Sequence, residues 1–296
     1  MDMATDGLTV VAGSLGDQGG AAARALHRQA RPVRALSHNL RSPAAQGLLS
    51  EGVDVLQDDL SVPEVVVRDL RGARRLFAAL TPFDEGGLEA ERRQIRHLAY
   101  AAIQADLGRV VYSAVGDPDQ DREVQADAKW GVERLLEEFE LPLTLLRPAF
   151  FMENLDQFAL RRQPDGSLVL RMPLEEKTPV QWIAVQDVGE LSRIALERPS
   201  AFGHGPVQLA ADELTLEVAL QMIGDELDAD VHYEQISLDD VTDQHAHGMY
   251  RWFQSYAHYD ADMEALRRLH PGMMTFRQWL ERGYLDTSKL EERPAA

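Results

Sequence analysis

From Leu8 to Ala12 the chain is apolar, the next residues are glycine-rich, and an Ala-rich stretch from Ala21 to about Ala30 follows with helical spacing. That pattern predicts strand, tight turn and helix, and it recurs. Pro32 opens a second apolar run, Val33 to Leu36, followed by Ser42-Pro43, a pair suited to capping and opening a helix. A third run, Val53 to Leu56, ends in Asp58-Asp59, and Ser61 with Glu64 three residues later has the spacing of a capping box. Arg75 to Leu80 predicts a fourth strand, and a Pro/Gly loop over Thr81 to Gly87 leads into a long helix reaching about Asp106. Arg109 to Val115 predicts the fifth strand. A polar loop from Gly116 to Asp121, a helical stretch from Glu123 to Phe139 and a sixth strand at Leu143 to Leu146 complete the series.

Six strands alternating with helices predict an α/β fold: a Rossmann doubly wound parallel sheet with helices on both faces and a ligand edge at the strand C-termini. Beyond Pro148 the pieces shorten. A helix near Met152 to Leu160, a turn at Pro164-Asp165-Gly166 and strands near Leu168 to Arg171 and Val180 to Ile183 predict a smaller α+β C-terminal lobe. We therefore expect a dinucleotide-binding domain over 1–150 and a substrate or partner lobe over 151–296. A helix at Asp187 to Glu197, a strand at Val207 to Ala210 and a helix at Thr215 to Leu227 suggest that part of 187–236 returns to the main sheet.

Composition narrows the functions. With 49 acidic against 30 basic side chains, the net charge of −19 opposes direct nucleic-acid binding over most of the surface. The absence of cysteine removes disulfides, thiolate nucleophiles and thiol switches, so any redox sensing has to pass through a cofactor. No basic region followed by an apolar stretch opens the chain and no window has the length of a membrane span, so the reading is cytoplasmic with no membrane partner.

The first turn carries the most specific chemistry. Gly13-Ser14-Leu15-Gly16-Asp17-Gln18-Gly19 sets glycines at every third position between a strand and a helix, where bare backbone lets a pyrophosphate approach the helix N-terminus. The end of the second strand, which meets the adenine ribose in such folds, reads Ser37-His38-Asn39-Leu40-Arg41. It offers no acid for an NAD-type grip, and Arg41 with Ser37, Asn39 and His38 can receive a 2′-phosphate. NADP(H) is favoured and NAD(H) remains open, as does Arg41 merely preceding a solvated helix. Asp58 and Asp59 stand where a carboxylate accepts from the adenine amino group, or where strand-end solvation suffices. Ser113 ends the fifth strand and Lys129 lies on the following helix; both are candidates for the catalytic end, with Lys129 holding ribose hydroxyls or shifting a proton. His245, His247 and His258 lack a recognisable ligand spacing, so no metal is expected. Tyr250, Trp252, Phe253, Tyr256 and Tyr259 read as packing of a C-terminal helix.

These residues resemble the NmrA-like group of atypical short-chain dehydrogenases/reductases, in particular its NADP-sensing branch. The resemblance rests on Gln18-Gly19-Gly20, Thr81, Val110-Val111-Tyr112-Ser113, Lys129-Trp130-Gly131-Val132-Glu133, Leu146-Arg147-Pro148, Phe151-Met152-Glu153-Asn154 and Thr275-Phe276-Arg277-Gln278-Trp279-Leu280. It implies a cofactor lying across Gly13 to Gly19, Ser37 to Arg41, Asp59-Leu60, Leu80-Thr81-Pro82, Lys129 and Phe150, Phe151 through Asn154, with the C-terminal lobe over the nicotinamide. The chain departs from the family at His38, where an Arg is frequent. It departs again at Gln125, which stands where active short-chain reductases carry the proton-donating tyrosine of Tyr-x-x-x-Lys. Two functions follow as expectations: a redox sensor with little turnover that reports NADP(H) to a regulatory protein partner, or an NAD(P)H-dependent oxidoreductase reducing quinone-like or small carbonyl acceptors.

Overall fold

Buried positions alternate along the first strands, and each set faces its own helical layer. The computed structural model describes residues 7–80, 87–114, 135–203, 205–242, 244–256 and 259–290. Its strands β1 (Leu8–Ala12), β2 (Val33–Ser37), β3 (Asp54–Gln57), β4 (Ala73–Ala78), β5 (Arg109–Ser113) and β6 (Leu143–Pro148) stand where the apolar runs predicted them, within two residues at each end. The pairings β3-β2, β2-β1, β1-β4, β4-β5 and β5-β6 are all parallel. A seventh strand, β11 (Val207–Leu209), lies beside β6, giving the order β11-β6-β5-β4-β1-β2-β3. The reversal at β1 and β4 is the switch point of a doubly wound sheet.

Val10, Ala12, Leu36, Leu76, Ala78, Val110 and Tyr112 point to one face, where they pack with Val66 of α3 (Pro63–Asp69) and Ile95, Leu98 and Ala102 of α4 (Gly87–Gln104). The intervening residues Val11, Ala35, Phe77 and Val111 are equally buried and face the opposite side. There α1 (Asp17–Arg28) buries Ala22, Ala23, Ala25 and Leu26 and packs along α5 (Val185–Glu197). Gly189 of α5 makes that crossing close: a Cβ there would lie 2.6 Å from the backbone of Ala21. Around the crossing, Arg28 bonds Glu190 at 2.8 Å and Arg31 bonds Glu197 at 2.9 Å, while Arg193 bonds both acids at 3.0 and 2.7 Å. Burial raises the Glu190 carboxyl, but the bonds from Arg28 and Arg193 outweigh it and hold the group below its ordinary range.

The chain divides into two units. The first contains the described residues of Met1–Val115, Gln125–Arg147 and Val185–Val207; the second contains those of Pro148–Ala184 and Gln208–Ala296. In the second unit β10 (Pro179–Ile183) pairs antiparallel with β12 (Asp212–Thr215) and parallel with β7 (Phe150–Phe151). A further sheet joins β13 (Val231–Gln235), β9 (Leu168–Met172) and β8 (Leu160–Arg162). An aromatic cluster fills its core: Phe150 meets Trp182 edge-on at 5.1 Å, Trp182 meets Phe276 at 5.1 Å, and Phe253 meets Tyr259 at 5.5 Å. The expected packing role of the C-terminal aromatics is thus seen for Tyr250, Phe253 and Tyr259, all buried.

Two local expectations are corrected. The helix near Met152 to Leu160 is a single π turn, Leu155–Ala159, that passes directly into β8, whose pairing with β9 requires extended backbone. The capping box at Ser61 and Glu64 does not form, because Asp59 Oδ1 accepts from the Ser61 N–H at 2.9 Å and α3 opens two residues later. There Pro63 fixes the first helical φ without a side-chain cap. No helix of the described residues is long and apolar enough to cross a membrane.

The contact at Gly189 gives the first prediction. Gly189→Ala drives a methyl into the Ala21 backbone and should destabilise the protein by about 1–3 kcal/mol, read from the midpoint of urea unfolding. An unchanged midpoint would mean that the two helices separate freely.

Candidate functional site

The turn after β1 is held by glycines of two kinds. Gly13 has φ +75°, and a Cβ on it would lie 2.0 Å from the Ala79 carbonyl oxygen. A Cβ on Gly19 would lie 2.2 Å from the Gly13 oxygen, so both positions are fixed by the fold itself. Gly16 differs. Its backbone is extended, at φ −82° and ψ 164°, and an added Cβ would meet only the Gly13 oxygen, at 3.6 Å. Nothing in the described protein requires a glycine there, whereas a ligand resting on the turn would.

The turn also leaves its helix open. Gly16 is the N-cap of α1 and no side chain caps it, while Ser42, Thr215, Asp262 and Thr275 each cap their own helices. The nearby Ser14 hydroxyl is turned elsewhere and donates to the Leu36 carbonyl at 2.6 Å. The positive end of this 12-residue helix, whose N-cap residue supplies no side-chain cap, suits an anion. Leu15 is half-buried and Gly16 and Asp17 are exposed, so the outer side of the turn is accessible.

At the β2 tip the chain folds upon itself. The Ser37 Oγ accepts from the Asn39 N–H at 3.1 Å, and Asn39 Oδ1 accepts from the Arg41 N–H at 3.0 Å. These bonds use one acceptor of each side chain and leave the guanidinium of Arg41 exposed, ahead of the Ser42 cap of the helix Pro43–Ser50. Among the described residues Arg41 forms no ion pair. His38 is exposed beside it and acts electrostatically on Asp59.

The two aspartates after β3 have opposite environments. Asp59 is exposed, and its bonds from the Ser61 hydroxyl and N–H hold its carboxyl below the ordinary range, with His38 adding to the effect. Asp58 is buried, and neither of its carboxyl oxygens completes a hydrogen bond among the described residues. Burial first, and the neighbouring Asp69 second, push its pKa up to about 7 against the weaker pull of Arg68. Asp69, itself buried, is gripped by both Nε and Nη2 of Arg68. The sequence signal for this pair is an acid, Asp69, on the apolar stripe of α3 beside Val66 and Leu70, which spacing rules alone pass over. The Leu60 carbonyl accepts from His97 Nδ1 at 2.8 Å, and Leu80 is buried at the end of β4.

Ser113 closes β5 fully buried, and its hydroxyl donates to Oε1 of Gln18 in the first turn of α1. The phosphate-type turn and the proposed catalytic serine are therefore directly joined. In the second unit, Phe150 is buried against Trp182, while Phe151 and Asn154 are half-buried. The indole N–H of Trp182 finds no acceptor among the described residues, whereas that of Trp279 donates to Glu153 at 3.2 Å. Lys129, Gln125, Thr81, Pro82 and the loop from Gly116 to Asp121 lie outside the described residues.

A family model described as the NmrA-like family matches residues 5–284. The chain is 28% identical over 194 residues to an NAD(P)H azoreductase of Xenophilus azovorans, a match covering 65% of this chain and 64% of that protein. It spans less than two thirds of the length of the first curated relatives it matches. Among solved structures, NmrA, a negative transcriptional regulator in complex with NADP, superposes with a TM-score of 0.78 at 19% identity, covering 96% of this chain and 97% of that one. An NADPH-dependent quinone oxidoreductase from Escherichia coli, complexed with NADPH, gives 0.73 at 19% identity, covering 94% and 99%. At these identities the structural likeness shows the fold.

The Asp58 carboxyl makes stability depend on pH. An unfolded aspartate releases its proton near 3.8, whereas the folded group keeps its own up to about 7. Its contribution is therefore full below pH 4, declines as pH rises from 4 to 7, and is level above. Asp58→Asn removes that decline, so its stability relative to the parent should grow across this window by on the order of 1–3 kcal/mol. Denaturant unfolding at pH 4.5 and 8 checks it, and an equal difference at both would refute the assignment.

Proposed function

We propose a function for a chain that belongs to the NmrA-like family: it is a cytoplasmic NADP(H)-binding redox sensor with little turnover, reporting cofactor state to a protein partner. The single observation that carries this reading is Gly16, a glycine that the fold does not need on a turn that the fold holds rigidly. The open N-terminus of α1 would receive the pyrophosphate and the exposed Arg41 the 2′-phosphate, with Ser37 and Asn39 organising the loop between them. Bound NADPH supplies a hydride to two-electron acceptors. Low turnover is favoured by the position of Ser113, whose only proton is donated to Gln18 inside the protein, and by Gln125 in place of a tyrosine acid.

A reductase is the second reading, favoured by the relative named as an NAD(P)H azoreductase. It needs an acceptor that takes hydride without a positioned tyrosine, as a quinone-like or azo compound does.

Calorimetric titration with NADPH and NADH tests the binding. The parent should bind one NADPH and prefer it to NADH. Gly16→Ala should weaken NADPH at least tenfold while its unfolding free energy stays within about 1 kcal/mol of the parent, because the extended backbone accepts a Cβ. Arg41→Ala should weaken NADPH by about 5- to 30-fold and leave NADH unchanged, consistent with the loss of a charge-assisted contact. Failure of the parent to bind either dinucleotide would end the reading. Oxidation of NADPH at many turnovers per second with a simple quinone would instead replace the sensor with the reductase.

A further inference from the structure

The bond between Ser113 and Gln18 joins two elements that are not neighbours. In the sheet order β5-β4-β1, the strand β4 separates the strand that Ser113 ends from the strand that precedes Gln18. Strand spacing puts β1 and β5 roughly 10 Å apart, so the Gln18 side chain extends past the C-terminal end of β4 to reach the serine. In a doubly wound sheet the second strand meets the adenine ribose, so the β4–β5 side of the switch point is left for the other half of a dinucleotide. A dinucleotide bound in that way would meet the Gln18 side chain in that half.

The hydrogen bond with Ser113 sets the orientation of the amide. A serine hydroxyl has one proton, and Ser113 gives it to the Gln18 carbonyl oxygen, so the amide nitrogen of Gln18 points away from Ser113 with two N–H donors. Ser113 has no exposed surface, whereas Gln18 is half-buried and is the more accessible member of the pair. We propose that Gln18 Nε2 is a ligand donor to acceptor oxygens on the nicotinamide mononucleotide half of the cofactor, and that Ser113 is a positioning residue that fixes which end of the amide faces the ligand. This rests on the dinucleotide reading above, and it gives Ser113 a role different from proton transfer.

The probe that separates the two halves is 2′,5′-ADP, which carries the adenosine and its phosphates without the nicotinamide mononucleotide. Calorimetry with NADPH and with 2′,5′-ADP is run on the parent, Ser113→Ala, Gln18→Glu, Gln18→Ala and the Ser113→Ala/Gln18→Ala double variant. Ser113→Ala should weaken NADPH about 3- to 10-fold. Gln18→Glu still accepts from Ser113 but has lost both donors and gained a charge, and should weaken NADPH by 30-fold or more without lowering the melting temperature. The affinity for 2′,5′-ADP should remain within about twofold of the parent in Ser113→Ala and Gln18→Ala. In the double variant, removing Ser113 should add nothing to Gln18→Ala, because the serine acts only through the amide. Unchanged NADPH affinity in Ser113→Ala, additive losses in the double variant, or equal losses for NADPH and 2′,5′-ADP would each overturn the proposal. If the parent binds neither compound, the dinucleotide reading itself has failed; if it binds both and the variants match it, only the roles given to Gln18 and Ser113 have.

Discussion

The close approach of Gly19 to the Gly13 carbonyl is the constraint from which the rest of the first unit follows. With 2.2 Å between that oxygen and any Cβ on Gly19, the chain can leave β1 and begin α1 within a few residues only on bare backbone. This brings the N-terminus of α1 to the edge of the sheet beside β4, where Gly13 already presses on Ala79. The same short turn sets the start of α1, and hence the alanine face that meets Gly189 on α5. It also places Gln18 in the first helical turn, from which it reaches Ser113. One backbone contact thus orients a helix dipole, a helix crossing and a side-chain strap.

Periodicity and punctuation made the sheet legible, because a parallel strand buried on both faces reads as a continuous apolar run and glycine or proline marks its exit. Leu76 to Ala78 and Val110 to Tyr112 are of this kind, and both lie in strands. Legibility fell where long-range contacts decide the local structure. The segment after Met152 has helical spacing, yet extended pairing with β9 claims Leu160 to Arg162 and leaves a single π turn before it. At Ser61, the competing acceptor Asp59 and the fixed φ of Pro63 defeated a capping pattern that was correct in spacing.

The candidate site divides in the same way. The glycine spacing and the Arg41 tip were visible because each is a contiguous motif with a local physical meaning. Which glycine the fold requires and which it does not was not, since that distinction depends on what lies opposite each Cβ: the Ala79 carbonyl oxygen at 2.0 Å for Gly13, and an ordinary contact with the Gly13 oxygen at 3.6 Å for Gly16. The pairing of Ser113 with Gln18 spans 95 residues of sequence and crosses a strand, so no spacing rule announces it. Nor does a dipeptide such as Asp58-Asp59 reveal that one acid is solvated by Ser61 while the other is buried beside Asp69.

The electrostatics of such a site have to work against the charge of the whole molecule. At −19 the protein repels a dinucleotide phosphate at long range, and near physiological ionic strength that repulsion is screened beyond roughly 8 Å. What remains is local. Around the first turn the groups that would face a dinucleotide in the proposed reading are mostly uncharged: the N–H groups of α1 and the amide of Gln18, with Arg41 as an exposed cation at the β2 tip. Neutral donors held by the fold do not depend on net charge, whereas a single guanidinium can distinguish a 2′-phosphate from a hydroxyl without attracting polyanions in general. An acidic surface and a phosphate-binding turn are therefore compatible, provided that geometry rather than accumulated positive charge does the recognition. In this chain that geometry starts with two glycines the fold requires and one it does not.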